Sequence, residues 1–203
     1  MNLTSNERTA IGNVPSVTAV GQGGLLDVQV TILGDTLWVY LALSGIYDDQ
    51  TRGTELWRAR LNSKALTDVT QLYAMPLTRT SDHHFGGRIA LGDKYVFLAI
   101  GDRGERERAQ DISDLAGSII RLNLDGSIPT DNPIFASPNA RPETYSVGHR
   151  NPQGLAFDSN GHLYTHQHGP QDGDEINRVE AGLNYGWPTI TYGRNYGIGT
   201  AIG

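Results

Sequence analysis

Three short apolar runs, separated by polar turns, recur along the chain, and a glycine opens each run. The runs begin at Gly24, Gly87 and Gly154, so they recur about every 65 residues. A turn rich in Gly, Asp or Asn follows each run and leads to a second apolar run and then to a Gly-bearing loop. Short β-branched or aromatic runs bounded by such turns are typical of strands joined in hairpins. The pattern therefore predicts three repeated β units.

Repeated units of about four strands with Gly-rich turns predict an all-β fold of the β-propeller type. A β-sandwich whose hairpins look alike by chance is the alternative. We favour the propeller because the three units share one order of strand, turn, strand and loop. No linker divides residues 1–203, which we interpret as one partial domain. Propellers usually close with about 4–8 blades, so three units predict a segment of a longer propeller or an assembly of several copies.

Polar residues stand just before the first strand of each unit. They are Gln22 in the first unit, His84 in the second, and Arg150 with Asn151 in the third. Equivalent loops of successive blades lie on one face, so we expect these side chains to converge at the mouth of a central channel. Such side chains suit a polar or anionic ligand. Position alone leaves His84 open to a structural role as well as a catalytic one.

A second set of polar loops follows the second strand of each unit. In the third unit, Gly169-Pro170 is followed closely by Asp172, Asp174 and Glu175. Backbone carbonyls and carboxylates are the hard oxygen ligands that calcium prefers. The spacing is not that of an EF-hand, and a solvated acidic turn is an equally simple interpretation.

Composition and charge narrow the range of partners. The chain has 203 residues and a net charge of -6 without a Lys/Arg run, which argues against nucleic acid as a partner. No apolar stretch approaches the roughly 20 residues that span a bilayer. Cysteine is absent, which excludes disulfides, thiol catalysis and Cys-ligated zinc. The polar residues 1–6 are not typical of a signal peptide.

Five motifs in one order resemble those of the soluble PQQ-dependent aldose sugar dehydrogenases, the glucose/sorbosone dehydrogenase family. The motifs are Gly21-Gln22-Gly23-Gly24-Leu25-Leu26-Asp27, His84-Phe85-Gly86-Gly87-Arg88, Arg150-Asn151-Pro152-Gln153-Gly154, His168-Gly169-Pro170 with Gly173-Asp174-Glu175-Ile176-Asn177, and Asn184-Tyr185-Gly186-Trp187-Pro188. The similarity runs from Gly21 to Tyr196. It implies a six-bladed propeller, of which this chain holds about three blades. The family also supplies basic cofactor contacts from blades that lie beyond Gly203.

The resemblance implies PQQ- and calcium-dependent oxidation of an aldose at its anomeric carbon to a lactone. In this family pattern His84 is the general base, and the PQQ contacts are Gln22, Arg150, Asn151 and Tyr196. The carbonyls of Gly169 and Pro170 hold the calcium bound to PQQ. Glu175 and Tyr185 resemble further calcium ligands, at a separate structural site.

The resemblance further implies an aldose substrate, an external electron acceptor and a periplasmic or secreted location, and it allows a homodimer. Two alternatives stay open. A non-catalytic propeller, like hedgehog-interacting or lectin-like binding domains, need not keep His84, Arg150 and Gly169-Pro170 together. A calcium-dependent propeller lactonase needs several carboxylates and amides at the channel mouth, where this sequence offers mostly His, Arg and Gln.

Overall fold

Strands dominate the computed structural model, which describes residues 8–47, 49–76 and 78–202. A short 3₁₀ helix spans Arg106–Gln110. In these described residues the strands are β1 (Leu25–Leu33), β2 (Thr36–Ile46), β3 (Arg52–Asn62), β4 (Ala65–Ala74), β5 (Gly86–Leu91), β6 (Tyr95–Ile100), β7 (Ser118–Asn123), β8 (Thr144–Ser146), β9 (Pro152–Phe157), β10 (Leu163–Gln167) and β11 (Glu175–Val179).

The strands form three separate antiparallel sheets, each a simple meander. The first sheet has the order β1-β2-β3-β4, the second β5-β6-β7-β8, and the third, over the residues described, β9-β10-β11. The strands β1, β5 and β9 each contain or directly follow one of the glycines that open the apolar runs. The predicted repeat is therefore confirmed, with three strands rather than four described in the third unit.

The sequence of each hairpin explains its geometry. Gly34 joins β1 to β2 at a φ of 61°, a left-handed conformation that a residue without Cβ adopts at little cost. The register that follows places Val30 opposite Val39. The strand β6 reads as a continuous apolar run and is buried along nearly its whole length. Such a run is typical of a strand covered on both faces.

Apolar side chains fill the two spaces between neighbouring sheets. Tyr40 and Leu56 of the first sheet pack with Leu98 of the second, and all three are fully buried. Phe97 of the second sheet packs with Leu163 of the third. Full burial of one such side chain stabilises the fold by about 1.5–3 kcal/mol. The second sheet is thus held between the other two.

Polar contacts join the first strands of the three sheets. The carboxylate of Asp27 in β1 accepts a hydrogen bond from the backbone N–H of Ile89 in β5 at 2.9 Å. The guanidinium of Arg88 in β5 donates to Gln153 Oε1 in β9, also at 2.9 Å. Three meander sheets placed side by side, with their first strands adjacent, form part of a β-propeller. A β-sandwich, with two sheets face to face, is wrong for this chain.

Membrane insertion by a helix finds no support in the described residues. Across 8–47, 49–76 and 78–202, no helix is long and apolar enough to cross a bilayer.

Candidate functional site

The loop before β5 presents His84 in an uncommon backbone conformation. His84 has a φ of 50°, and Gly86 and Gly87 follow with φ values of 66° and 82°. Gly101, at the end of β6, packs directly beneath: a Cβ there would lie 2.2 Å from the carbonyl oxygen of His84. The backbone N–H of His84 donates to Gln22 Oε1 at 2.8 Å. The first unit therefore holds the histidine loop through Gln22.

Asp102 holds the imidazole of His84. The Oδ1 atom of Asp102 lies 2.6 Å from Nδ1 of His84 and accepts from the backbone N–H of Gly104 at 2.8 Å. Its other oxygen, Oδ2, accepts from the indole N–H of Trp187 at 2.8 Å. The carboxyl group is almost fully buried at 1% exposure. Three donors therefore fix its orientation and with it the ring of His84.

Arg103 supports the same loop from below. Its guanidinium is fully buried, lies 3.5 Å from the centre of the Phe85 ring, and donates to the backbone carbonyls of Ser81 and His83. Burial, helped by the nearby positive charge of Arg108, lowers the pKa of Arg103 to about 10. The guanidinium stays protonated at neutral pH, so residues 81–85 are held by a charged donor.

The third unit contributes Arg150 and Asn151, directly before β9. Nη1 of Arg150 donates to the carbonyl oxygens of His168 at 3.0 Å and Gly169 at 2.6 Å. The backbone carbonyl of Arg150 accepts from Asp102 N at 2.8 Å. That bond joins the loop that holds the imidazole to the loop that holds the arginine. Asn151 is buried beside them, and its backbone carbonyl accepts from His168 N.

These loops line one cavity at the ends of the blades. Four predicted site residues line it: His84, Arg150, Pro170 and Tyr196. The remaining lining residues are Asp102, Gly104, Arg106, Trp187, Asn195 and Ile202. Gln22 binds the histidine loop, Asn151 follows Arg150, and Gly169 precedes Pro170 in the chain. Of the side chains expected to converge at the channel mouth, His84 and Arg150 line the cavity, whereas Gln22 and Asn151 do not.

The loop at Gly169 offers carbonyl oxygens rather than a carboxylate cluster. A Cβ on Gly169 would lie 2.3 Å from the carbonyl oxygen of Asp172, so the tight turn requires glycine. Asp174 Oδ1 accepts from the backbone N–H of Gly169 at 2.9 Å. Among the residues that the structure describes, no three His, Cys, Asp or Glu side chains gather as a metal site. A cation in this loop would therefore rest mainly on backbone carbonyls.

Glu175 lies at the start of β11 and does not line the cavity. Its Oε2 accepts from Nε2 of Gln167 at 2.9 Å and from Nδ2 of Asn177 at 3.0 Å. Gln167 in turn accepts from the backbone N–H of Arg150 at 2.9 Å. The side chain of Gln167 therefore lies between the carboxylate of Glu175 and Arg150, which lines the cavity.

Tyr185 is likewise outside the cavity lining. Its hydroxyl donates to the carbonyl of Arg178 at 2.6 Å and accepts from the backbone N–H of Glu180 at 2.8 Å. Its ring stacks on the fully buried imidazole of His149, with centroids 4.8 Å apart. Burial lowers the pKa of His149 to about 3, against a smaller opposing effect of the Gln167 side chain. The imidazole that stacks on the ring of Tyr185 is therefore neutral near pH 7.

The sequence assigned no role to three residues that hold His84 and its loop: Asp102, Arg103 and Trp187. Asp102-Arg103 stands in the second polar loop, directly after the apolar strand β6. Two charged residues next to a fully buried strand were the available signal, because charges in such a position must find partners. Their partners, however, lie in other segments, and periodicity does not predict side-chain contacts between segments.

The fold and the cavity define a partial β-propeller with a polar binding site built from the loops of its blades. A family model described as "Glucose / Sorbosone dehydrogenase" matches residues 1–203. The chain therefore belongs to the glucose/sorbosone dehydrogenase family, as the five motifs predict.

Individual relatives agree with this assignment. The chain is 41% identical over 192 residues to aldose sugar dehydrogenase YliI of Escherichia coli K12, covering 92% of this chain and 52% of that protein. The apo structure of the soluble aldose sugar dehydrogenase from Escherichia coli superposes with a TM-score of 0.88 at 38% identity, over 94% of this chain and 56% of that one. The PQQ-bound aldose sugar dehydrogenase from Streptomyces coelicolor gives 0.76 at 31% identity, over 94% and 55%. The chain thus spans about half the length of the curated relatives it matches.

Proposed function

We propose that this chain carries the proton-accepting part of the active site of a PQQ- and calcium-dependent aldose dehydrogenase. The observation that carries the proposal is the contact of His84 with the buried carboxylate of Asp102, in a cavity that Arg150 also lines. Relatives named as aldose sugar dehydrogenases support it. The substrate class is therefore an aldose, and the reaction is oxidation at the anomeric carbon to a lactone.

His84 is suited to act as the general base. A carboxylate only accepts hydrogen bonds, so Asp102 keeps the proton of His84 on Nδ1. The lone pair then lies on Nε2, which can take the proton of the anomeric hydroxyl. An imidazole is a base of suitable strength near neutral pH. Asp102 also stabilises the imidazolium that forms, as carboxylates do in other His–Asp pairs.

PQQ fits the charge of the cavity. Arg106 and Arg150 line it together with the amide of Asn195 and the phenol of Tyr196. Guanidinium groups bind carboxylates in a planar, paired geometry, so Arg150 is proposed to bind a carboxylate of PQQ. Tyr196, Gln22 and Asn151 are proposed as further contacts. When bound, PQQ supplies the two-electron acceptor that takes the hydrogen of the anomeric carbon as hydride.

Calcium fits the carbonyl oxygens of Gly169 and Pro170. The Gly169 carbonyl accepts from Nη1 of Arg150 at 2.6 Å, and Arg150 and Pro170 line the cavity, so this oxygen faces the cavity side of the loop. A carbonyl has two lone pairs and can serve both groups. Calcium binds oxygen ligands, and backbone carbonyls are among those it commonly uses. Bound there, it would polarise a quinone oxygen.

Glu175 and Tyr185 are proposed to belong to a second calcium site. Each contacts one member of the buried pair Gln167 and His149, and neither lines the cavity. This placement supports a structural site, distinct from the one that serves PQQ. An external electron acceptor, a periplasmic or secreted location and a homodimer stay predictions that rest on the family relationship.

The first test measures PQQ binding. The chain is titrated with PQQ in Ca²⁺ and, separately, in EDTA, and dye reduction is then followed with several aldoses. We expect saturable binding that weakens in EDTA, and turnover with at least one aldose. Failure of the chain to bind PQQ in the presence of Ca²⁺ overturns the proposal.

The second test separates the base from its neighbour. His84→Ala should keep PQQ bound and lower turnover by about 100- to 10 000-fold, the usual contribution of a general base. His83→Ala is the matched control, because the ring of His83 is exposed and its centroid lies 6.3 Å from that of His84. Equal turnover of the two variants removes His84 from the role of base.

A further inference from the structure

We propose that Trp187 is a positioning residue whose indole N–H fixes the carboxylate of Asp102 and thereby the imidazole of His84. The inference rests on the proposed function, since it concerns the proton acceptor of that reaction. It also predicts a property of the unloaded protein, which is measurable without PQQ.

The indole binds the oxygen of Asp102 that His84 does not use. Oδ1 of Asp102 faces His84 at 2.6 Å, and Oδ2 accepts from Nε1 of Trp187 at 2.8 Å. A carboxylate bound by a single oxygen can rotate about its Cβ–Cγ bond, whereas donors on both oxygens hold its plane. The indole on Oδ2 therefore holds the plane of the carboxylate together with the Gly104 N–H, which donates to Oδ1.

Trp187 is itself rigidly held. Its side chain is 6% exposed, its backbone N–H donates to Gly148 O at 3.1 Å, and its carbonyl accepts from Gln110 Nε2 at 2.6 Å. A Cβ on Gly148 would lie 2.2 Å from Asn184 Oδ1, so the turn that carries Trp187 packs closely on that glycine. These contacts come from the 3₁₀ helix and from the segment before β9. The indole is thus placed by the second and third units together.

The same indole also contacts the arginine of the cavity. The guanidinium of Arg150 lies 5.3 Å from the centre of the Trp187 ring, within the range of a cation–π contact. Trp187 therefore touches both the base-holding carboxylate and the group proposed to bind PQQ.

Removing only the N–H should affect turnover more than binding. Trp187→Phe keeps an aromatic ring against Arg150 and deletes the donor to Asp102. We expect kcat to fall by about tenfold while KM for the aldose stays within about twofold, because a misplaced catalytic group lowers the rate of the chemical step. Trp187→His, which restores a ring N–H, should recover part of kcat.

Trp57→Phe is the matched control. The indole of Trp57 donates to a carboxylate in the same way, to Glu55 at 2.7 Å, but it lies on β3 and outside the cavity. Both variants lose one indole-to-carboxylate bond, so their melting temperatures should fall comparably. A kcat of Trp187→Phe equal to that of Trp57→Phe overturns the inference.

Proton NMR of the unloaded chain gives the second readout. The His84 Nδ1–H in its short bond to Asp102 should resonate far downfield in the wild type and in Trp57→Phe, and should broaden or shift in Trp187→Phe. An unchanged signal in Trp187→Phe overturns the inference. If the signal changes but the wild-type protein shows no PQQ-dependent turnover, only the proposed function is overturned. If Trp187→Phe does not fold, the variant Asp102→Asn is prepared in protein labelled with ¹⁵N-tryptophan. The indole N–H signal of Trp187 should then shift relative to the wild type, and an unshifted signal overturns the inference.

Discussion

The buried imidazole of His149 should make the protein less stable in mild acid. His149 is fully buried, its Nε2 lies 2.9 Å from Ser146 Oγ, and burial lowers its pKa to about 3. In an unfolded chain the pKa of histidine is about 6.5. Between these values the unfolded chain binds a proton that the folded protein does not bind. The free energy of unfolding therefore falls as the pH falls from about 6.5 toward 3.

The size of this effect follows from the two pKa values. Each pH unit below about 6.5 costs about 1.4 kcal/mol, so the contribution of His149 at pH 5 is a loss of about 2 kcal/mol relative to pH 7. For a chain of this size that loss corresponds to a fall of about 4–8 °C in Tm.

Urea unfolding, followed by tryptophan fluorescence at pH 7 and pH 5, measures this loss. EDTA is present throughout, so that no bound cation contributes. The variant His149→Gln removes the titration and should reduce the difference between the two pH values by about 2 kcal/mol. His166→Gln, at an exposed histidine, is the control and should keep the wild-type difference. If His149→Gln also keeps it, burial of a neutral imidazole is not the cause.

Three further substitutions test the packing beneath the site. Asp114→Asn removes the carboxylate charge that Arg108 binds at 2.6 Å in a buried setting, and should lower the free energy of unfolding by about 1.5–3 kcal/mol in urea titrations; a loss under about 1 kcal/mol contradicts this. Gly101→Ala forces a Cβ against the His84 carbonyl and should cost about 1–3 kcal/mol; unchanged stability contradicts the close packing. Leu98→Ala, in the core between sheets, should cost about 2–5 kcal/mol by calorimetry, and a neutral result contradicts its full burial.

The repeat in the sequence predicts the fold well because it reflects how each sheet is made. Gly24, Gly87 and Gly154 mark the first strand of each unit, and the turn and second strand follow at fixed offsets. Backbone hydrogen bonds between neighbouring strands are local, so the periodic pattern contains the information that specifies them. The number of strands in the third sheet was less predictable, because the pattern does not indicate how many strands each unit contains.

The candidate site was predictable only where it follows from the repeat. His84 and Arg150 share one cavity because both stand in equivalent loops of successive units. The contact of Asp102 with His84 and that of Trp187 with Asp102 join segments 18 and 85 residues apart. Both contacts join segments that are distant in the chain, so the period of strands and turns does not predict them. Only the three-dimensional packing of loops brings these side chains together.

Several segments of the chain support His84, the proposed proton acceptor. Consecutive residues of one loop hold the histidine twice: Asp102 binds the ring of His84, and Arg103 binds the backbone carbonyls of Ser81 and His83. The third unit completes this support through Trp187. The contacts that orient the imidazole in the described residues involve positions 22 to 187. The orientation of His84, the proposed base, can therefore be measured in this chain whatever further contacts PQQ requires.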